Sequence, residues 1–165
     1  MEEKIAKTKQ IFQVVCVVNN LDETVKNWIK YVDFNQDSMK FSSWKDLKCI
    51  YHGKEIAYRA RSVRFDLGGV DLMLVEPESK EGGDPYSDYL KSHGPGYHHI
   101  SVSLHNREEA MEKYQALGYE PAAVEICGDT ERTLYNFENE MGLLLEFSNQ
   151  VVGPLGPRDS EGRTF

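Results

Sequence analysis

The sequence predicts an α+β domain built from two βαβββ modules. Three observations carry that prediction: an apolar, β-branched run that leads into a helical repeat near the N-terminus, the same pairing again after Gly96, and glycine-marked turns between the remaining short apolar runs.

In the first module, residues 11–18 (IFQVVCVV) read as a strand. Leu21, Val25, Trp28, Ile29 and Val32 then recur at helical spacing, so a helix follows with Trp28 on its apolar face. Asn20 stands before that helix with Glu23 three residues on, the spacing of a capping box with Asn in place of Ser or Thr. Further strands are expected over residues 47–51, 58–67 and 70–76, joined by turns at Gly53 and at Gly68 and Gly69.

The second module repeats the order. Residues 98–104 alternate as a strand, and Asn106, Glu109, Ala110, Met111, Tyr114 and Leu117 mark a helix closed by Gly118. Gln13 precedes Asn20 by seven residues (20 − 13), and His99 precedes Asn106 by seven (106 − 99), which makes Gln13 and His99 equivalent positions of the repeat. Strands are expected over 123–127, 133–138 and 143–148, with turns at Gly128 and Gly142. Between the modules lie a polar loop over 78–83, a short helix over 84–93 bearing Tyr86, Tyr89 and Leu90, and the Gly94-Pro95-Gly96 turn. One domain over 1–150 is expected, with module 1 about 11–76 and module 2 about 97–149; residues 151–165 read as an extended or disordered tail.

Composition narrows the function classes. The 165 residues are 40% hydrophobic and carry a net charge of −8, which argues against general nucleic-acid binding or attachment to an anionic membrane. A small-molecule partner is expected instead. Cys16, Cys49 and Cys127 are odd in number and widely spaced, so neither a disulfide framework nor a zinc knuckle is indicated. The charged N-terminal MEEKIAKTKQ lacks the apolar core of a signal peptide, and a cytoplasmic location is expected.

Alternation assigns the faces of the strands. Ile100, Val102 and Leu104 share one face while His99, Ser101 and Ser103 share the other; His98 falls on the aliphatic face or its rim. In the last strand Glu146 shares a face with Leu144 and Ser148. A carboxylate and a histidine on one sheet surface are satisfied either by a mutual hydrogen bond or by a metal ion, and an exposed Glu146 on a solvated face is the third reading. Arg59 and Arg61 alternate onto one face and suit an anionic substrate, or form ordinary ion pairs on an outer strand. Tyr97, Tyr135 and Phe137 either line a cavity or pack in the core, and Asp66 and Asp71 read as polar strand ends.

The segments QVVCVVNNLDETVKNW, LMLVEP, SDYLKSHGPGYHHISVSL and GLLLEF together resemble the vicinal oxygen chelate superfamily, the glyoxalase and bleomycin-resistance fold, and within it methylmalonyl-CoA epimerases. The resemblance covers 11–149 and is most specific around the HHI stretch. It implies a curved mixed sheet around one cavity and a divalent ion (Co, Mn, Zn, Ni or Mg) held by one residue from each of four strands. It places metal ligands at Gln13, His99 and Glu146, with Glu146 also catalytic through acid–base work. Histidine is usual at the Gln13 position, and an amide oxygen binds more weakly; the remaining ligand position falls on Met73, whose thioether suits none of these cations well. Asp71, on the same strand face, is a possible substitute. Arg59, Arg61, Ser101 and Tyr135 complete the expected substrate contacts, and a CoA thioester and a homodimer are the implied partners. The expected activity is that of a metal-dependent isomerase or lyase moving a proton next to a carbonyl. The alternative, suggested by Met73, is a metal-free binding protein of the antibiotic-sequestering type.

Overall fold

A computed structural model describes residues 3–151, so the tail expected over 151–165 lies, beyond Val151, outside the described residues. The first module comprises β1 (Thr8–Val17), α1 (Leu21–Tyr31), β2 (Lys40–Tyr51), β3 (Lys54–Asp66) and β4 (Asp71–Pro77). The connecting helix α2 (Pro85–His93) follows. The second module comprises β5 (Gly96–Leu104), α3 (Arg107–Ala116), β6 (Ala123–Cys127), β7 (Thr130–Phe137), the short α4 (Glu138–Met141) and β8 (Leu143–Ser148).

The eight strands close into a barrel in the order β1-β4-β3-β2-β6-β7-β8-β5. Within each module the first strand runs parallel to the last, as β1 with β4 and β5 with β8. The modules join through two antiparallel seams, β1 with β5 and β2 with β6. The repeat read from the sequence is visible in the first seam. An offset of 86 residues (99 − 13) maps the Gln13–Ser101 pair onto the Val15–His99 pair, and both pairs are present.

Because strand side chains alternate, each strand feeds two layers. Outside the barrel, Val63, Phe65, Leu72 and Leu74 pack against Leu21 and Val25 of α1, joined by Trp28. Val102, Tyr135, Phe137 and Phe147 pack likewise beneath Met111 and Tyr114 of α3. Inside, Val15, Val17, Met73, Val75, Tyr58 and Leu134 form the inner cluster, and Tyr86 and Leu90 of α2 join it. Burial of an apolar side chain of this kind contributes about 1.5–3 kcal/mol.

Local signals explain most boundaries. Asn20 caps α1, its side chain accepting the Glu23 N–H at 3.0 Å. Asp84 caps α2 in a reciprocal box with Ser87, and Pro85 occupies the first turn, where its missing N–H costs nothing. Asn106 departs from its counterpart. Its carbonyl oxygen accepts the Lys7 N–H at 2.9 Å and its amide donates to the Ile5 carbonyl at 2.8 Å, so it tethers the N-terminal segment instead of capping α3. Strand β2 begins at Lys40, well before the expected 47; residues 40–43 are exposed and largely polar, which hides the strand pattern ahead of the half-buried Trp44.

Candidate functional site

Residues paired across strands share a face, and two adjacent rows of such pairs define the interior. One row runs Asp71, Gln13, Ser101, Glu146; the next runs Arg64, Met73, Val15, His99. Gln13, Asp71, His99, Ser101 and Glu146 are all buried. The two expected histidine and glutamate ligands therefore face the interior together, with His99 Nε2 3.2 Å from Glu146 Oε2.

His98 does not lie on the aliphatic face or its rim, as strict alternation required. Val15 pairs with His99 while Cys16 pairs with Tyr97, so His98 is the extra residue of a β-bulge. The bulge turns its ring inward, where it is buried against Tyr86 and Tyr89. Its Nδ1 lies 2.7 Å from His99 Nδ1 and its Nε2 3.2 Å from the Pro85 carbonyl.

These contacts assign the proton of His98. Burial, reinforced by the neighbouring His99, pushes His98 down to about 3, so its ring is neutral. A carbonyl only accepts, so His98 donates its single N–H through Nε2 to Pro85, and its Nδ1 must accept from His99 Nδ1–H. With Nδ1 occupied in this way, His99 turns Nε2 toward the interior beside Glu146. That nitrogen has no hydrogen-bond partner, despite its closeness to Glu146.

Glu146 is held from several sides. Burial raises its tendency to stay protonated, but His99, Arg132 and the Ser101 hydroxyl, which donates to Oε1 at 2.8 Å, outweigh it and hold the carboxyl well below the usual range. Across the barrel Gln13 Nε2 donates to Asp71 Oδ2 at 2.6 Å. An ionised Asp71 only accepts, which fixes the amide with Oε1 turned away from it, and that oxygen has no partner. Burial pushes Asp71 up to about 6, against the opposing effects of Gln13 and Arg64.

A cavity of about 400 Å³ opens beside these groups, lined among others by Gln13, Met73, Trp44, Arg64, Glu125 and Arg132. Glu125, paired in register with Arg132, accepts the Tyr58 hydroxyl hydrogen bond at 2.5 Å. Burial, with Glu146 adding to it, raises the Glu125 carboxyl above its ordinary value, although Tyr58 and Arg132 pull the other way. The interior thus holds two carboxylates driven in opposite directions.

The expected substrate residues divide. Ser101 is at the centre, bonded to Glu146. Arg59 and Arg61 are not in the cavity. Both point outward from β3, Arg59 toward Asp46 and Glu78, Arg61 toward Asp22 and Glu76, because the inner face of that strand carries Tyr58, Ala60, Ser62 and Arg64. Tyr135 likewise belongs to the outer layer beneath α3, stacked on Phe137. Tyr97 is exposed. The same alternation that picked out His99 would have found Arg64, Glu125 and Arg132, had it been applied to β3, β6 and β7.

A profile of the Glyoxalase/Bleomycin resistance protein/Dioxygenase superfamily matches residues 12–144. The chain belongs to that superfamily. Solved structures similar to this superfamily member include a methylmalonyl-CoA epimerase in complex with methylmalonyl-CoA and ammonium, at 17% identity and TM-score 0.58, covering 90% of this chain and 100% of that one. A Streptomyces coelicolor methylmalonyl-CoA epimerase variant in complex with 2-nitronate-propionyl-CoA has 16% identity and TM-score 0.56, with 87% and 96% covered. The Mycobacterium tuberculosis methylmalonyl-CoA epimerase has 10% identity and TM-score 0.54, with 89% and 91% covered. No curated protein matches the sequence. No helix among the described residues is long and apolar enough to cross a membrane.

The donor set that the resemblance implies is present in part. Among the described residues no three His, Cys, Asp or Glu side chains form a metal-binding group by themselves, so a three-donor site here would have to draw a donor from the Gln13 amide. It has one to give: Gln13 Oε1 and His99 Nε2 are both buried and unpartnered. Met73 is buried in the row beside them and contributes an apolar wall where a fourth oxygen would stand.

Proposed function

We propose that this protein binds a divalent cation through Gln13 Oε1, His99 Nε2 and Glu146 and moves a proton next to a substrate carbonyl, as an isomerase or lyase of the epimerase or glyoxalase kind. The observation that carries the reading is the proton chain from Pro85 through His98. It occupies His99 Nδ1 and leaves Nε2 beside an ionised Glu146 with no hydrogen-bond partner, where a cation would satisfy both groups. When bound, the cation offsets negative charge developing on the carbonyl oxygen.

The chain's own residues supply the rest. Ser101 holds Glu146 through Oε1 and leaves Oε2 beside His99 Nε2, and Glu146 is the residue to which we assign proton exchange with substrate. Glu125, inclined to stay protonated, lines the cavity and is the complementary donor, with Tyr58 fixing its orientation. Two of the epimerase structures of similar fold are complexes with methylmalonyl-CoA or 2-nitronate-propionyl-CoA, which makes methylmalonyl-CoA a suitable first probe.

The test combines metal analysis of protein purified without chelator with proton NMR of methylmalonyl-CoA in D2O. Bound metal and exchange of the α-proton, lost in Glu146→Gln, are expected. Protein that neither retains nor takes up cobalt, manganese, nickel, magnesium or zinc would sink the proposal. The second reading, a metal-free small-molecule binding protein, is favoured by Met73, which lines the cavity together with Trp44 and Leu47. It predicts tight ligand binding that chelation leaves unchanged.

A further inference from the structure

The described arginines fall into two groups. Arg59, Arg61 and Arg107 each sit within ion-pair distance of at least one carboxylate. Arg64 and Arg132 both line the cavity, and neither side chain makes an ion pair or hydrogen bond with any described residue. This is unexpected in a chain of net charge −8 with three carboxylates, Asp71, Glu125 and Glu146, on the same interior. Arginines serving only to neutralise those acids would sit in contact with them, since a guanidinium and a carboxylate form a bidentate pair whenever geometry allows. The two instead act at a distance, Arg64 on Asp71 and Arg132 on Glu125 and Glu146. Arg64 Nη1 is shut off from water with nothing to donate to, a costly state that a ligand oxygen would remove.

The lining around them is consistent with one kind of guest. Lys40, paired with Arg64, and the neighbouring Ser42–Ser62 pair face the same space, adding a third cation and two hydroxyls. A volume of about 400 Å³ admits a small organic acid in full. From these features we infer that the cavity is an anion-recognising site, and that the substrate is a small acid whose carboxylate, phosphonate or phosphate group is gripped by Arg64 and Arg132. The inference deepens the proposed function by naming the substrate class, and it places the charged end of the substrate on the Arg64–Arg132 side while the reacting carbonyl lies toward Gln13, His99 and Glu146.

Calorimetric titration of the full chain, as purified and after chelation, tests this with malonate and methylphosphonate as anionic probes and dimethyl malonate as the uncharged control. At least one acid is expected to bind, more weakly as salt rises, while the diester does not. Arg64→Gln is expected to weaken binding about tenfold or more. Because Arg132 also balances buried acids, Arg132→Lys accompanies Arg132→Gln: it keeps the charge, loses the fork, and is expected to bind several-fold more weakly than wild type. Absence of binding by both acids in both states overturns the inference, as does undiminished binding in Arg64→Gln and Arg132→Lys. Acid binding that depends on the arginines in a protein shown to take up no metal would sink the metal proposal and leave this one standing. A metal-loaded protein indifferent to both acids would do the reverse.

Discussion

Replacing Asp71 with asparagine isolates the cost of holding a charge inside the barrel. Asp71 is 1% exposed and titrates at about 6 rather than its ordinary 3.8, chiefly because burial disfavours the ion. That difference corresponds to about 3 kcal/mol against ionisation. The sign follows from proton binding. Between the unfolded and folded values the folded state holds the extra proton, so Asp71 favours folding below about 4, and this contribution is lost as pH rises through about 6. The substituted amide would keep an acceptor for Gln13 Nε2 without the charge. Asp71→Asn is therefore expected to stabilise the chelated protein by up to about 3 kcal/mol at pH 8 and by little at pH 3.5. Urea unfolding across this range, with unchanged slope, measures it. A variant less stable than wild type at pH 8, or a difference flat with pH, would refute the reasoning. The same substitution should weaken metal binding, because an asparagine side chain can both donate and accept and no longer dictates which way the Gln13 amide points.

Met73→Gln adds an amide oxygen beside the three proposed donors and should raise metal affinity at least tenfold, read by competition with a chromophoric chelator; an unchanged affinity would remove Met73 from the account of a weakened site. His98→Phe keeps the ring packing on Tyr86 and Tyr89 but deletes the acceptor for His99 Nδ1–H, so affinity should fall about 10- to 100-fold in the same assay while the melting temperature shifts little. Phe65→Ala, which empties the layer between β3 and α1, should cost about 3–5 kcal/mol in denaturant unfolding and leave metal affinity unaltered, since that layer is outside the barrel.

Most of the fold was legible because two periodicities recur in each module. The β8 range 143–148 and the β6 range 123–127 could be read from alternation alone, and the Asn20 cap from its spacing to Glu23. The site was half legible. Alternation and the repeat pointed to His99 and Glu146, and to Gln13 as the partner position, and all three face the interior. Two kinds of information were missing. A bulge breaks alternation without leaving a mark on composition, so alternation alone puts His98 on the wrong face. Strand parity in β3 depends on where the strand begins, so Arg59 and Arg61 stood out for their number, while Arg64, on the opposite face, lines the cavity. Asn106 shows a third limit: a capping residue can be captured by a distant segment, here the Lys7 amide, that local spacing does not reveal.

The two seams that close the barrel also set the order of its assembly. Both join strands far apart in sequence, as Gln13 with Ser101 and Cys49 with Glu125, so neither can form until most of the chain is available. Until then the first module carries Val15, Val17, Met73 and Val75 on a surface with nothing to cover it. Closing such long loops is entropically costly, which predicts slow folding for a domain of this size. The late step also assembles the chemistry, because Gln13 comes from one module and His99 and Glu146 from the other. A cation that bridges them would act as a latch on the last seam to close, and its presence during refolding should slow the unfolding of the barrel more than it speeds the formation of either half.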